Sequence, residues 1–370
     1  MKVYNDNKLK LAKKIEPFLL IIKILRLPLY LLVILIRFFR KNRPDFFVAD
    51  GFLIGDCVLA RPLIKAVLRK DPKSYYMAGR HAKFIFFDSK INLIENQWPW
   101  ANYDYSLRNW LKQLLVWFKI LWLQPKTIIE LRGDLRSLFF LYLTCPKSLI
   151  GFSFTGGKMF LTKEPNLPKK VMHLEAHNYA LAKLLNLDYQ LKKDLKIENR
   201  LKKEQRIIGL SFAGSLPLKT LPIKMAKIIL DTFKNDAAVK LVYLKSPHDY
   251  FLDNHEAVIQ EYKIEIWEGA FSNYFDFMQT LSGYIGMDSA GGHIAALFQI
   301  PSLIFFGTQE SSFSKPINEQ MIILEMSKSL FCRPCASKIC VNSVPQACLT
   351  GIDKQKIGSA LTWLKTRTKI

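Results

Sequence analysis

The chain predicts an α/β fold with two Rossmann-like domains, each built on a parallel sheet, preceded by an amphipathic N-terminal helix. Three observations lead there. Its 370 residues, half of them hydrophobic, supply core for two domains rather than one. From Asp45 onward, short apolar runs alternate with longer segments of helical spacing. That alternation restarts after a charged stretch at 190–205, and strand–helix alternation implies parallel strands joined by helical crossovers.

Taken in order, the leader (1–44) comes first. Residues 1–43 carry eleven Lys/Arg against Asp6 and Glu16, and the whole chain has a formal net charge of +23. Such a chain favours anionic partners. The run Pro17–Phe39 is strongly apolar, yet Lys23, Arg26 and Arg37 interrupt it, and its longest uncharged stretch is Leu27–Ile36. That is half of the roughly 20 residues a spanning helix needs. Positions 23, 26, 30, 33, 37 and 40 share one helical face, which reads Lys, Arg, Tyr, Val, Arg, Arg. The pattern predicts a helix lying in the membrane interface, its cations among anionic headgroups and Pro28 kinking it. A helix buried in the fold and a tilted single span are the alternatives. No small-residue cleavage site follows, which argues against a secretory signal.

The first domain (45–189) opens with strand "DFFVAD", then the helical pattern "GDCVLARPLIKAVLRK". "SYYMAG", "NLIEN" and "KTIIEL", the last of them before "RGDLRSLFFLYL", are further strands, and "LRNWLKQLLVWFKILWLQ" and "HLEAHNYALAKLLNL" are helices. The charged run 190–205 reads as a linker. The second domain (206–370) alternates strands "RIIGLSFAG", "VKLVYLK", "KIEIWEG", "YIGMD" and "PSLIFFG" with helices "LPIKMAKIILDTFK", "YFLDNHEAVIQEY", "FDFMQTLS" and "GGHIAALFQ". No interleaved basic–aromatic pattern occurs in the body, so nucleic acid is not expected as a partner. "DGFLIGD" follows the first strand where a dinucleotide fold would carry G-x-G-x-x-G, which argues against an NAD-dependent oxidoreductase.

Ligands in such sheets bind at the carboxyl ends of the strands, where helix N-termini favour phosphate. Three stretches occupy such ends. "MDSAGGH" puts Asp288, Ser289, Gly291, Gly292 and His293 between a strand and a helix. The glycines read either as a close approach of backbone to ligand or as a packing turn, and His293 equally as a contact or a core residue. "GDCVLARPLIKAV" puts Asp56 at a helix entrance, as a candidate site residue or an N-cap. "SFAGSLPLKTLP" puts Ser215 and Lys219 on the loop after the first strand of the second domain. Cys332, Cys335, Cys340 and Cys348 follow C-x2-C-x4-C-x7-C, a set that can hold zinc or iron, remain reduced and metal-free, or form two disulfides. Cys57 and Cys145 read as packing residues.

Those stretches, together with "ELRGDLRS" (Glu130–Ser137) and the tail "CRPCASKICVNSVPQACLTGI", resemble glycosyltransferase family 9, the ADP-heptose:lipopolysaccharide heptosyltransferases. The resemblance covers most of residues 46–365. It implies GT-B architecture: parallel sheets facing a cleft, acceptor on the N-terminal domain, nucleotide sugar on the C-terminal one. Carried onto this sequence, Asp56 is the general base and Lys219 a diphosphate ligand. Ser215 and the Ser289–Gly292 turn are phosphate contacts, Asp288 a donor-sugar contact, and Arg136 lies on the acceptor side. The implied reaction is inverting heptose transfer from ADP-heptose to a lipid-anchored core oligosaccharide. It would run at the cytoplasmic face of the bacterial inner membrane, with the enzyme peripheral and no cofactor required for catalysis. Phe212–Ala213, Leu221 and Ala290 depart from the family pattern. The departures leave open a relative using another nucleotide sugar or a protein acceptor, or a catalytically silent nucleotide-sugar binding protein.

Overall fold

The computed structural model describes residues 13–14, 16–51, 53–102, 104–167, 172–198, 205–214, 216–327, 330–335, 337 and 339–368. The first twelve residues of the leader, residues 199–204 of the charged run and Ser215 lie outside this set. The chain divides into two compact units, Met1–Asp194 and Leu195–Ile370.

In the first unit, strands β1 (Phe46–Ala49), β2 (Tyr75–Ala78), β3 (Asn92–Glu95), β4 (Thr127–Glu130) and β5 (Ser148–Ile150) form one sheet in the order β3-β2-β1-β4-β5. Every pairing is parallel, as the strand–helix alternation predicts. Helix α3 (Ile54–Lys70) returns the chain from β1 to β2, α4 (Leu107–Leu123) precedes β4, and α5 (Leu135–Tyr142) links β4 to β5. β1 is apolar at all four positions and fully buried, as expected for a central strand covered on both faces. The core gathers Phe47, Ile128, Leu138 and Leu149 with Trp98, which stacks on Trp100 at 5.0 Å.

Helix α6 (Leu174–Leu184) packs on α3, and Asn178 Nδ2 donates to Leu59 O at 2.9 Å. The charged run expected as a linker is structured on both sides of residue 194. Its short helix α7 (Leu191–Asp194) buries Asp194, which takes Arg69 through both carboxylate oxygens at 3.0 and 2.8 Å. The wholly buried Arg61 donates to Asp194 O at 2.6 Å. Beyond it, Ile197 N–H donates to Leu297 O and so belongs to the second unit.

The second unit holds β6 (Arg206–Ser211), β7 (Val239–Leu244), β8 (Glu265–Trp267), β9 (Gly283–Met287), β10 (Ser302–Phe306) and β11 (Met321–Glu325), in the parallel order β11-β10-β9-β6-β7-β8. Helices α8 (Ile223–Phe233), α9 (Tyr250–Glu261), α10 (Phe271–Thr280) and α11 (Ala290–Leu297) are its crossovers, and α12 (Lys354–Arg367) closes the chain. β5, β11 and α12 were not read from the sequence.

The leader forms α1 (Leu19–Leu25) and α2 (Leu27–Phe39), broken at Arg26, where Pro28 has no N–H to give. No helix among the described residues is long and apolar enough to cross a membrane. The face expected to lie among headgroups is instead turned largely onto the first unit. Val33 is 0% exposed and packs with Leu121 and Cys145. Arg26 Nε donates to Cys145 Sγ at 3.1 Å, and its guanidinium lies 3.8 Å from the Tyr142 ring centroid. Arg37 donates to Gln124 Oε1 at 3.1 Å and to Cys145 O at 2.5 Å; Arg40 donates to Trp122 O at 3.0 Å. The reason is local. α4 ends at Leu123 with Gln124 in the left-handed region, and its last carbonyls need donors. Arginines beside a helix C-terminus satisfy them and complement the helix dipole. Val33→Asp, which sets a charge in this contact, should undock α2. Limited proteolysis with mass spectrometry should then cut residues 26–43 at least tenfold faster; unchanged cutting would mean that another contact holds the leader.

Candidate functional site

Each sheet has a place where the chain, having run outward from a central strand, returns to that strand's other side. Crossover helices diverge there and leave the strand ends open. In the first unit this point lies between β1 and β4, with Ala49 paired to Glu130. In the second it lies between β6 and β9, with Ser211 paired to Gly286.

At the first point, Asp50 follows β1 and Asp56 stands in the first turn of α3. Arg132, on the turn after β4, reaches both: its Nε lies 3.4 Å from Asp50 Oδ1 and its Nη2 3.1 Å from Asp56 Oδ1. Asp56 Oδ2 also accepts the Leu53 N–H at 3.3 Å, so the helix-entrance role and a site role coexist in one carboxylate. Exposure separates the two acids. Asp50 is 1% exposed, whereas the Asp56 side chain is 23% exposed, so Asp56 is the one an outside molecule can meet. Tyr76 Oη donates to Asp50 Oδ2 at 2.8 Å. Burial raises the Asp50 carboxyl above its usual range against the opposing pull of Arg132.

The Arg132 turn is itself held from below. Glu130 Oε2 accepts N–H from Arg132 at 3.1 Å and from Gly133 at 2.5 Å. Gly133 has φ +64°, and a Cβ there would stand 2.8 Å from Phe152 O, so glycine is required. Glu130 Oε1 is buried without a partner, and burial pushes the carboxyl up to about 8. His81, beyond β2, is buried with an unpartnered Nε2; burial lowers it to about 4 although the Asp56 charge opposes this, so the ring is neutral at pH 7. Arg136 forms a fork with Asp134, Nε to Oδ1 at 2.9 Å and Nη2 to Oδ2 at 2.8 Å, with its guanidinium 5.1 Å from the Trp100 ring centroid.

At the second point, Lys219 ends the turn Pro217–Lys219 and its Nζ donates to Asp288 Oδ2 at 3.2 Å. The two predicted residues thus come together, each mostly shielded, with side chains 17% and 13% exposed. Gly214 admits this loop: a Cβ on it would stand 2.6 Å from Lys219 Cβ. Ser289 precedes α11 and caps it with no side-chain bond, leaving the first-turn N–H groups of an eight-residue helix. Gly291 and Gly292 are buried, and packing explains both. A Cβ on Gly291 would run into the Tyr284 hydroxyl and lie 2.7 Å from Tyr274 Oη; one on Gly292 would lie 3.0 Å from Ile304 Cδ1. His293 is buried one turn into α11. The sequence alone did not single out Asp50, Tyr76, His81, Glu130 or Arg132.

Cys332, Cys335, Cys340 and Cys348 are free thiols lining one small pocket with Leu218, Arg333 and Gln346. Asn342 Nδ2 donates to Cys332 Sγ at 3.1 Å, and the backbone N–H of Asn342 heads the donors that lower the Cys340 thiol. The chemistry suits zinc or iron, yet among the described residues no group of three or more His, Cys, Asp or Glu side chains stands close enough to hold a metal ion. The segment also touches the lysine loop, because Gln346 Nε2 donates to Thr220 O at 2.8 Å.

No protein-family model matches the chain, and no curated protein matches it by sequence. Solved structures do. A family 9 glycosyl transferase from Veillonella parvula is 17% identical, with a TM-score of 0.66 over 88% of this chain and 98% of that one. The ADP-heptose lps heptosyltransferase II of E. coli is 13% identical, with a TM-score of 0.64 over the same shares. The E. coli heptosyltransferase WaaC, solved with ADP, is 10% identical, with a TM-score of 0.60 over 75% of this chain and 92% of that one. The likeness establishes the fold, the GT-B class of two Rossmann-like domains.

Glu130 yields a test of this geometry. Its folded-state pKa lies above the ordinary carboxylate value, so the folded chain holds a proton that the unfolded chain releases above about pH 4.5. The stability it contributes is full below that pH and is lost as pH rises toward about 8. Glu130→Gln keeps an oxygen for the two N–H groups and cannot ionise. Between pH 5 and 8 the parent melting temperature should fall more steeply than the variant's, and parallel melting curves would overturn the assignment.

Proposed function

We propose that the protein is an inverting glycosyltransferase that moves heptose from ADP-heptose to a lipopolysaccharide core acceptor, bound peripherally at the cytoplasmic face of the bacterial inner membrane. The observation that carries this reading is the chemistry at the two switch points: a reachable, oriented carboxylate at one, a lysine beside a helix N-terminus at the other. The solved structures of like fold support it, one named as an ADP-heptose lps heptosyltransferase and another solved with ADP.

The reaction assigns the acceptor to the first unit and the donor to the second. Asp56 takes the proton of an acceptor hydroxyl as its oxygen bonds the anomeric carbon. The bond from that carbon to the diphosphate oxygen breaks, and the electron pair leaves with the nucleotide. Lys219 and the first N–H groups of α11 stabilise the departing charge, and Asp288 holds Lys219 until the diphosphate competes for it. Attack from the face opposite the leaving group inverts the centre. A relative acting on another nucleotide sugar or a protein acceptor, and a silent nucleotide-sugar binder, are the rival outcomes.

Turnover measured beside donor affinity tests the assignment. Asp56→Asn keeps the side-chain shape and one acceptor oxygen, enough for the Leu53 N–H or for Arg132 but not for both, and it lies in the unit away from the donor residues, so donor binding should stay near normal while turnover falls about 10²–10⁴-fold. Lys219→Ala should weaken both. Near-normal turnover in Asp56→Asn would reduce the residue to a helix-entrance role, and tighter binding of NAD than of any nucleotide sugar would sink the reading.

The cysteine pocket is proposed to take one structural zinc or iron ion, whose binding would have to draw the four thiols of the pocket closer together; the shared pocket and the N–H donor at Cys332 Sγ support it. Elemental analysis of protein purified without added metal should find about one ion per chain. Chelation should lower the melting temperature before it slows the initial rate. A freshly reduced, fully stable protein with no metal would reject it.

A further inference from the structure

We infer that α4 is a second membrane-contacting element, forming with the leader one surface that rests on an anionic bilayer. This builds on the peripheral reading above and adds an element within the first domain itself. α4 buries Gln113, Val116, Ile120 and Leu123 against the sheet, as any crossover helix does. Its opposite face is also apolar. Leu107, Leu111, Leu114, Leu115, Phe118 and Trp122 recur at three- and four-residue spacing, and all are exposed, Leu107 at 75% and Leu115 at 70%. A helix apolar on both faces needs a second cover.

Among the described residues, the leader runs beside it without supplying that cover. α2 packs on α4 through Val33, Leu29, Trp117 and Leu121, on the flank of that face. Because Arg26, Arg37 and Arg40 bond to the domain, the opposite side of α2, with Leu31, Leu35 and Phe38, points away from it and is exposed. The two apolar faces are therefore neighbours.

Charge selects the occupant. Neither α1, α2 nor α4 contains an acidic residue. Arg108, Lys112 and Lys119 are exposed on α4 at four- and seven-residue spacing, so they form one stripe along the apolar face. Lys23 and Lys41 are exposed in the leader. Apolar side chains edged by cations suit acyl chains beneath anionic headgroups. A second copy of this chain packed face to face would bring the same basic stripes together.

Vesicle flotation with the full chain is the test, using phosphatidylcholine alone and phosphatidylcholine with phosphatidylglycerol. The protein should bind the anionic vesicles more tightly, and brominated lipid should quench its fluorescence through the exposed Trp110 and Trp122. Leu115→Glu with Phe118→Glu should cut partitioning at least tenfold with the leader intact, at an unchanged melting temperature. Arg108→Gln with Lys112→Gln should remove most of the preference for anionic vesicles. Trp110→Phe with Trp122→Phe should abolish most quenching. If the glutamate pair binds like the parent, the leader alone makes the contact and this inference fails while the peripheral reading stands. A stable dimer in solution that Leu115→Glu dissociates would assign the face to a second copy and overturn it. If the parent binds neither vesicle, both readings fail.

Discussion

Parallel pairing throughout both sheets is the constraint on which the candidate chemistry depends. With all strands running one way, every carboxyl end of a sheet lies on one edge, and the connections leaving that edge must cross over to the other, most of them through helices. Where successive crossovers depart to opposite sides, no helix covers the strand ends. Asp50 and the Arg132 turn occupy that opening between β1 and β4, and the loops carrying Lys219 and Asp288 occupy it between β6 and β9. Polar groups there can sit at the mouth of the opening, as the partly exposed Asp56 does, although the strands behind them are buried.

Burying charge at such a point is expensive, and the first unit meets the cost by sharing one guanidinium between two carboxylates. Removing an ion from water costs several kcal/mol unless partners replace the solvent. Arg132 lies between Asp50 and Asp56, and their charges raise it against the effect of burial. Asp50 has Tyr76 as a further donor, while Asp56 keeps one side toward solvent. Glu130 completes the arrangement from beneath by fixing the backbone that aims Arg132. The orientation of Asp56 thus rests on a chain of buried contacts running from β4 through the turn to α3.

This explains what the sequence made legible. Among the described residues, apolar runs between helical segments revealed nine of the eleven strands: the seven interior ones, which are covered on both faces and read as apolar blocks, and the edge strands β3 and β8, marked by the helical segments that flank them. β5 has three residues, and β11 is an edge strand followed by the cysteine segment rather than a crossover helix, so neither had the alternating context that marked the others. Asp56, Lys219 and Asp288 were legible because each sits in a local motif. The Arg132 contacts were not: Arg132 and Asp50 stand 82 residues apart and meet only through the pairing of β1 with β4. Gly291 and Gly292 were visible as a pattern, but their reason, the Tyr284 hydroxyl and the Ile304 side chain, lies on strands of the sheet behind them.

The leader shows a further limit of reading charge from a helical wheel. A wheel identifies a cationic face but not what that face meets. Here Arg37, Arg40 and Arg43 converge on the end of α4, donating to Gln124 Oε1, Trp122 O and Gln124 O. Carbonyls at a helix end are strong acceptors carrying partial negative charge, and they compete with water and with headgroups for guanidinium. Once arginines are held there, they no longer hydrate the outer side of the helix that bears them. The exposed surface of α2 is then more apolar than the described leader segment's composition, and its orientation follows from the C-terminus of a helix that lies elsewhere in the sequence.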